Sequence, residues 1–148
     1  MAATKQAEEN KDLVRRLIEE LGEKRNLDIL EETHASDFEI HSPLAPGGKV
    51  TGREAYKATL QEIFDAFSDM TLIIEDIVAE DDMVAYRLSY TATHEGEFMD
   101  VPPTGKRVSW EGMAFLRIED GTVREIRAQT DTIGLMQQLG VTEVPGEH

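Results

Sequence analysis

One segment of this 148-residue chain constrains its fold more than any other: a strand, turn and strand between Val108 and Thr130. Glu119–Thr122 reads Glu-Asp-Gly-Thr, and Asp120-Gly121 is a two-residue hairpin turn. Regular alternation back from that turn pairs Ile118 with Val123, Leu116 with Glu125, Ala114 with Arg127, Gly112 with Gln129 and Trp110 with Asp131. All ten then share one sheet face. On the first strand that face carries Val108, Trp110, Gly112, Ala114, Leu116 and Ile118, an inward pattern, while Arg107, Ser109, Glu111 and Arg117 occupy the other. The pairing therefore predicts that Arg127, Gln129 and Asp131 point inward, opposite the smallest residues of the partner strand. Small residues facing long polar ones beside a Trp leave polar volume unfilled, which points to a ligand cavity.

The rest of the chain supplies the other layer. The first ten residues are polar and are expected to fray, after which Leu13, Val14, Leu17, Ile18 and Leu21 recur at helical spacing up to Gly22. Asn26 is positioned to cap a short second helix that buries Leu27 and Leu30. A strand over Phe38–His41 follows, then a loop from Ser42 to Gly48. A third helix starts at Gly52-Arg53-Glu54, with Tyr56, Leu60, Ile63, Phe64 and Phe67 in one stripe ending near Asp69. From Met70 the period changes to two: a strand to Ala79, a turn at Glu80–Asp82, a strand from Met83 to His94, a long loop from Glu95 to Lys106, and the hairpin. On Met83–His94, Val84, Tyr86, Leu88, Tyr90, Ala92 and His94 share the face that should meet the helices. Helices first and an antiparallel sheet after them define an α+β class, a curved sheet packed on N-terminal helices around a pocket. The length fits a single domain over residues 1–148, with 1–9 frayed and 142–148 a flexible tail.

Composition removes several function classes. The net charge of −15, from 30 acidic and 15 basic residues spread along the chain, repels nucleic acid and anionic lipid. Nine arginines against six lysines, with acids on the helix surfaces, resemble proteins adapted to high salt. Without cysteine there is no disulfide, thiolate metal site or thiol nucleophile. Four scattered histidines with no i, i+4 pair predict no metal site. Dinucleotide and phosphate-loop glycine motifs and a nucleophile elbow are absent, so no cofactor is expected. There is no charged-then-apolar start, no apolar run of membrane-span length and no lipidation pattern. The chain reads as soluble and cytoplasmic.

What remains is proton transfer on a mostly apolar small molecule, or plain binding. Asp131 is the leading acid-base candidate, because a carboxylate against the Trp110 wall would have its pKa raised toward neutrality. It reads equally as the N-cap of a helix beginning at Thr132. His94, at the rim of the same face, is a second acid-base candidate or simply an exposed His. Arg127 could hold an anionic or carbonyl group or form a structural ion pair, and Gln129 could donate to an enolate oxygen or be a satisfied core amide. Trp110, Tyr90 and His41 complete the candidate binding set, although alternation from Phe38 and Ile40 turns His41 outward. Met113, Phe115 and Ile126 are expected on the sheet's outer face, as a dimer surface.

Phe38–Pro43, Ala66–Met70, Glu75–Ala85, Thr93–Phe98 with Pro102–Val108, and Gly134–Gly140 together resemble the SnoaL-like polyketide cyclases, from about residue 10 to 141. The resemblance implies the nuclear-transport-factor-like cone, usually a homodimer. It also implies a cofactor-free intramolecular aldol closure in which a pocket carboxylate removes a carbon-bound proton beside a carbonyl. It places family histidines at His41 and His94 and a closing acid at Asp131. The chain departs from the family twice: Arg127 stands where relatives have Trp, and Ala128 where the cyclases have an acid. By the regular hairpin pairing Ala128 faces away from the pocket, which leaves Asp131 as the carboxylate. Two readings follow, a cofactor-free acid-base enzyme on a hydrophobic carbonyl compound and a non-catalytic binding or dimerising module.

Overall fold

The computed structural model describes residues 2–141, with side chains from Lys5 onward; the expected C-terminal tail lies outside the described residues. Helix α1 runs Ala2–Gly22, so it includes the polar start expected to fray. Val14, Leu17, Ile18 and Leu21 form its buried stripe. Its end is fixed by Arg25, which adopts a positive φ of 54°. The Arg25 guanidinium donates to the Leu21 and Gly22 carbonyls and, at 2.6 Å, to the Met70 carbonyl, tying the helix end to the sheet. Helix α2 spans Ile29–Thr33 with Asp28, not Asn26, at its N-cap, and helix α3 spans Arg53–Ala66. Gly52 precedes α3 at φ 91°, a conformation that requires glycine.

Six strands form one curved sheet: β1 His34–His41, β2 Lys49–Thr51, β3 Thr71–Glu80, β4 Met83–Thr93, β5 Arg107–Glu119 and β6 Thr122–Thr130, in the order β2-β1-β6-β5-β4-β3. β1 joins β6 in parallel and the other pairs are antiparallel. A short helix α4, Thr132–Gln138, closes the fold against β5. The α+β layout and the inward faces of β4 and β5 agree with the sequence reading. No helix among the described residues is long and apolar enough to cross a membrane.

The hairpin departs from regular alternation at one residue. Ile118 pairs with Val123, as the turn dictates, but Arg117 pairs with Glu125, so Arg124 is an extra residue on β6. The Ile118 amide turns away to donate to the Asp82 carbonyl at 2.7 Å. Beyond this bulge Leu116 faces Ile126, Ala114 faces Ala128 and Gly112 faces Thr130. A one-residue slip exchanges the two faces of a strand. Ile126, only 3% exposed, therefore joins the core rather than the outer face, while Glu125, Arg127 and Gln129 leave it. The cause is energetic. Val123 and Ile126 lie three apart and cannot share a face in a regular strand; burying Glu125 and Arg127 instead would strip two charges of water at a cost of several kcal/mol each.

Candidate active site

The small residues of β5 do make room, though not for Arg127 and Gln129. Tyr86 pairs across the ladder with Ala114 and Tyr90 with Trp110. The Tyr90 ring lies over Gly112, where a Cβ would come within 3.0 Å of it. It stacks on the Trp110 indole at 5.2 Å between ring centres and 14° between planes. Between this wall, α1, α3 and the inner face of β1 lies a cavity of about 120 Å³. Leu21, Ile63, Leu72 and Ile126 give it an apolar lining; its polar groups come from Tyr56, Tyr86, Tyr90, Trp110, Ser42, Thr59 and Thr130.

The three phenols set its chemistry. Burial pushes the Tyr90 hydroxyl up to about 12. Burial, reinforced by the neighbouring phenols, raises Tyr56 and Tyr86 further. All three stay protonated at neutral pH and offer O–H donors in an apolar space, where a hydrogen bond to a carbonyl or enolate oxygen is strongest. The described lining contains no carboxylate and no imidazole.

Of the residues singled out from sequence, Trp110 and Tyr90 line the cavity and the others do not. The Asp131 carboxylate accepts the Gly134 amide at 2.9 Å and caps α4, so its capping reading is the geometry seen. It is exposed, and a Cβ at position 134 would collide with it. Asp131 does not face Trp110, because the bulge has moved β6 by one residue. His94 is fully buried rather than at an exposed rim. Its Nδ1 accepts the Thr104 amide at 3.2 Å while its backbone bonds Gly105 and Lys106, fastening the loop between β4 and β5. Arg127 lies on the outer face with Nε 3.3 Å from Glu125. His41, Arg127 and Gln129 border an outer hollow of about 380 Å³.

Tyr56, Tyr86, Thr130 and Ala128 are among the lining residues that the sequence reading did not place in the site. The alternation of Tyr86 with Tyr90 carried a signal for Tyr86. For Ala128 and Thr130 the signal was the three-residue gap between Val123 and Ile126. Ala128 lines the cavity, at the position where the family resemblance expects the acid.

A cone of curved sheet and helices around an apolar cavity defines a class of small-molecule pocket proteins. The comparisons name the family within it. The family model for SnoaL-like polyketide cyclases matches residues 12–139, and the chain belongs to that family. It is 32% identical over 136 residues to aklanonic acid methyl ester cyclase DauD of Streptomyces sp. (strain C5), covering 87% of this chain and 80% of that one. Nogalonic acid methyl ester cyclase of Streptomyces nogalater is 32% identical over 92 residues, 61% of this chain and 68% of its own. Among solved structures, a SnoaL-like protein from Jannaschia sp. CCS1 superposes with a TM-score of 0.84 at 25% identity, covering 93% of this chain and 95% of that one. IdmH from Streptomyces antibioticus superposes with a TM-score of 0.77 at 33% identity, covering 89% and 99%.

Proposed function

We propose that this chain is a cofactor-free enzyme that closes a ring on a hydrophobic polyketone, using neutral phenols in place of a carboxylate base. The observation that carries the reading is the convergence of Tyr56, Tyr86 and Tyr90 on an apolar cavity whose described lining has no carboxylate or imidazole. A carbon between two carbonyls is acidic by itself. Phenol donors on its carbonyl oxygens stabilise the enolate that forms as solvent base takes the carbon-bound proton; the enolate carbon then attacks a further carbonyl held in the same space, whose π bond opens to an alkoxide that takes a proton back from solvent. Trp110 stacked on Tyr90 supplies a flat wall for a planar substrate. Without a protein base the rate forgoes the roughly 10²- to 10⁴-fold that general-base catalysis contributes. A second copy of the chain covers the outer face at Met113 and Phe115, 59% and 57% exposed. Light scattering then reports a dimer that Phe115→Glu dissociates; a monomeric wild type removes that part of the proposal.

The test uses aklanonic acid methyl ester, the compound that DauD is named for. Ring closure above the buffer rate, reduced about tenfold by Tyr90→Phe with KM little changed, supports the reading. Ala128 favours a second reading, a pocket that binds without turnover. Saturable quenching of Trp110 fluorescence with no loss of starting ester would establish that one and reject the enzyme.

A further inference from the structure

On the opposite face of the sheet from the cavity, β1 and β6 bring together three groups that the proposed reaction does not use. Glu39 and His41 alternate on the outer face of β1, and the parallel register sets Glu39 beside Glu125 and His41 beside Arg127. His41 Nε2 lies 3.5 Å from Glu39 Oε2 and 3.9 Å from Glu125 Oε2, and the three ligand atoms all fall within 4.8 Å of one another. Two further facts distinguish this group from an ordinary patch of surface charge. The His41 Nε2 atom is cut off from solvent and makes no hydrogen bond, although it faces a carboxylate oxygen of each glutamate. Each carboxylate is also held from behind: Lys49 Nζ is 3.7 Å from Glu39 Oε1, and Arg127 Nε is 3.3 Å from Glu125 Oε1. The cations occupy one oxygen of each glutamate and leave the other turned toward the imidazole, as outer-sphere partners orient metal ligands.

We infer that Glu39, His41 and Glu125 bind a divalent transition cation such as Zn²⁺. Bonds of about 2.0–2.2 Å place neighbouring nitrogen and oxygen ligands roughly 3–4 Å apart, so the ion seats with a contraction of at most about 1 Å in these half-buried side chains. One imidazole and two carboxylates suit Zn²⁺ or Mn²⁺ over Mg²⁺, which prefers oxygen alone and sheds water reluctantly. The ion clips the parallel seam between β1 and β6, and water completes its coordination on the side of the outer hollow. Histidine pairs at helical i, i+4 spacing are not the only way to assemble such a ligand set. A strand places Glu39 and His41 on one face at i, i+2, and the third ligand comes from a neighbouring strand.

Zn²⁺ titrated calorimetrically into the metal-free full-length chain should bind at one site. His41→Gln and Glu125→Gln should each weaken that binding at least tenfold while melting normally without metal, since both side chains are only half-buried. Co²⁺ followed by imidazole NMR separates this site from adventitious binding, because the signals of His41 should shift or broaden while those of buried His34 and His94 stay in place. At a hundredfold excess over Kd the wild type should melt roughly 5–10 °C higher. Zn²⁺ binding that is absent, or equally strong in both variants, overturns the inference. So does a His41 whose imidazole signals ignore Co²⁺.

Discussion

The two strands of the β5–β6 hairpin differ in how their sequences encode a face. On β5 buried and exposed residues alternate without interruption from Arg107 to Glu119, and the inner set is buried throughout. On β6 the alternation breaks at Arg124, and each residue beyond it presents the face that regular counting would deny it. The lesson is that a turn fixes register only as far as the first bulge. Beyond it the register follows whichever pairing buries Ile126 and frees Arg127. A charge placed on one face of β6 or the other should have the most unequal consequences. Ile126→Asp should cost more than about 4 kcal/mol and leave little folded protein, whereas Gln129→Asp should stay within about 0.5 kcal/mol. Urea unfolding measures both, and a reversed order would restore the regular hairpin.

The same contrast locates the chemistry. Ala128 lines the cavity and Arg127 does not, so Ala128→Asp should put a carboxylate beside the phenols and raise ring closure by about 10²- to 10⁴-fold. Arg127→Asp should leave kcat unchanged. If both variants proved equally inert, an acid at position 128 would not be what limits the reaction, and the argument from the phenols would lose its kinetic support.

Much of this was legible in the sequence. The helix stripes, the change to period two at Met70 and the inward set of β4 all follow from periodicity, because each element buries one face and solvates the other. The site was less legible, for a local reason. Regular counting across Arg124 assigned Arg127, Gln129 and Asp131 to a cavity lined instead by Ile126, Ala128 and Thr130. Gly112 and Ala114 read as open volume, but the room over Gly112 is taken by the ring of Tyr90, which with Tyr86 comes from the opposite neighbour of β5 and lines the cavity in their place. His94 illustrates a second limit. Its inward position was readable, whereas its bonds to Thr104 depend on how the following loop folds back.

The phenols of the inner face also make the fold sensitive to alkali in a way the outer face does not. Tyr90 ionises near 10 in the unfolded chain and near 12 when buried. Between those values the unfolded state has lost a proton that the native state keeps, so stability falls as pH rises. That contribution should be fully present below pH 10 and decline by about 2 kcal/mol for Tyr90 alone by pH 12. Tyr90→Phe should flatten that slope. A slope unchanged by the substitution would mean that Tyr90 is not sealed from water. Deleting Arg124 should do less, costing about 1–2 kcal/mol. It removes the bulge yet keeps Arg117 opposite Glu125 and every later pair in place. Loss of Trp110 fluorescence quenching by ligand in that variant would show that the bulge shapes the cavity as well as setting the faces.

The smallest effect is expected at the residue that regular counting made most important. Asp131 accepts one amide at the start of α4, and its carboxylate is exposed on the outer side of the hairpin. Removing an N-cap acceptor costs about 1 kcal/mol. Asp131→Ala should therefore lower stability by that amount and leave kcat and KM within twofold of wild type. Asp131→Asn, which keeps an acceptor for the Gly134 amide, should restore most of the loss. A catalytic carboxylate would give the opposite pattern, with both substitutions abolishing turnover and neither rescuing it. Thermal melts and kinetics on the pair thus separate a cap from a base at a position where the two roles predict the same residue type.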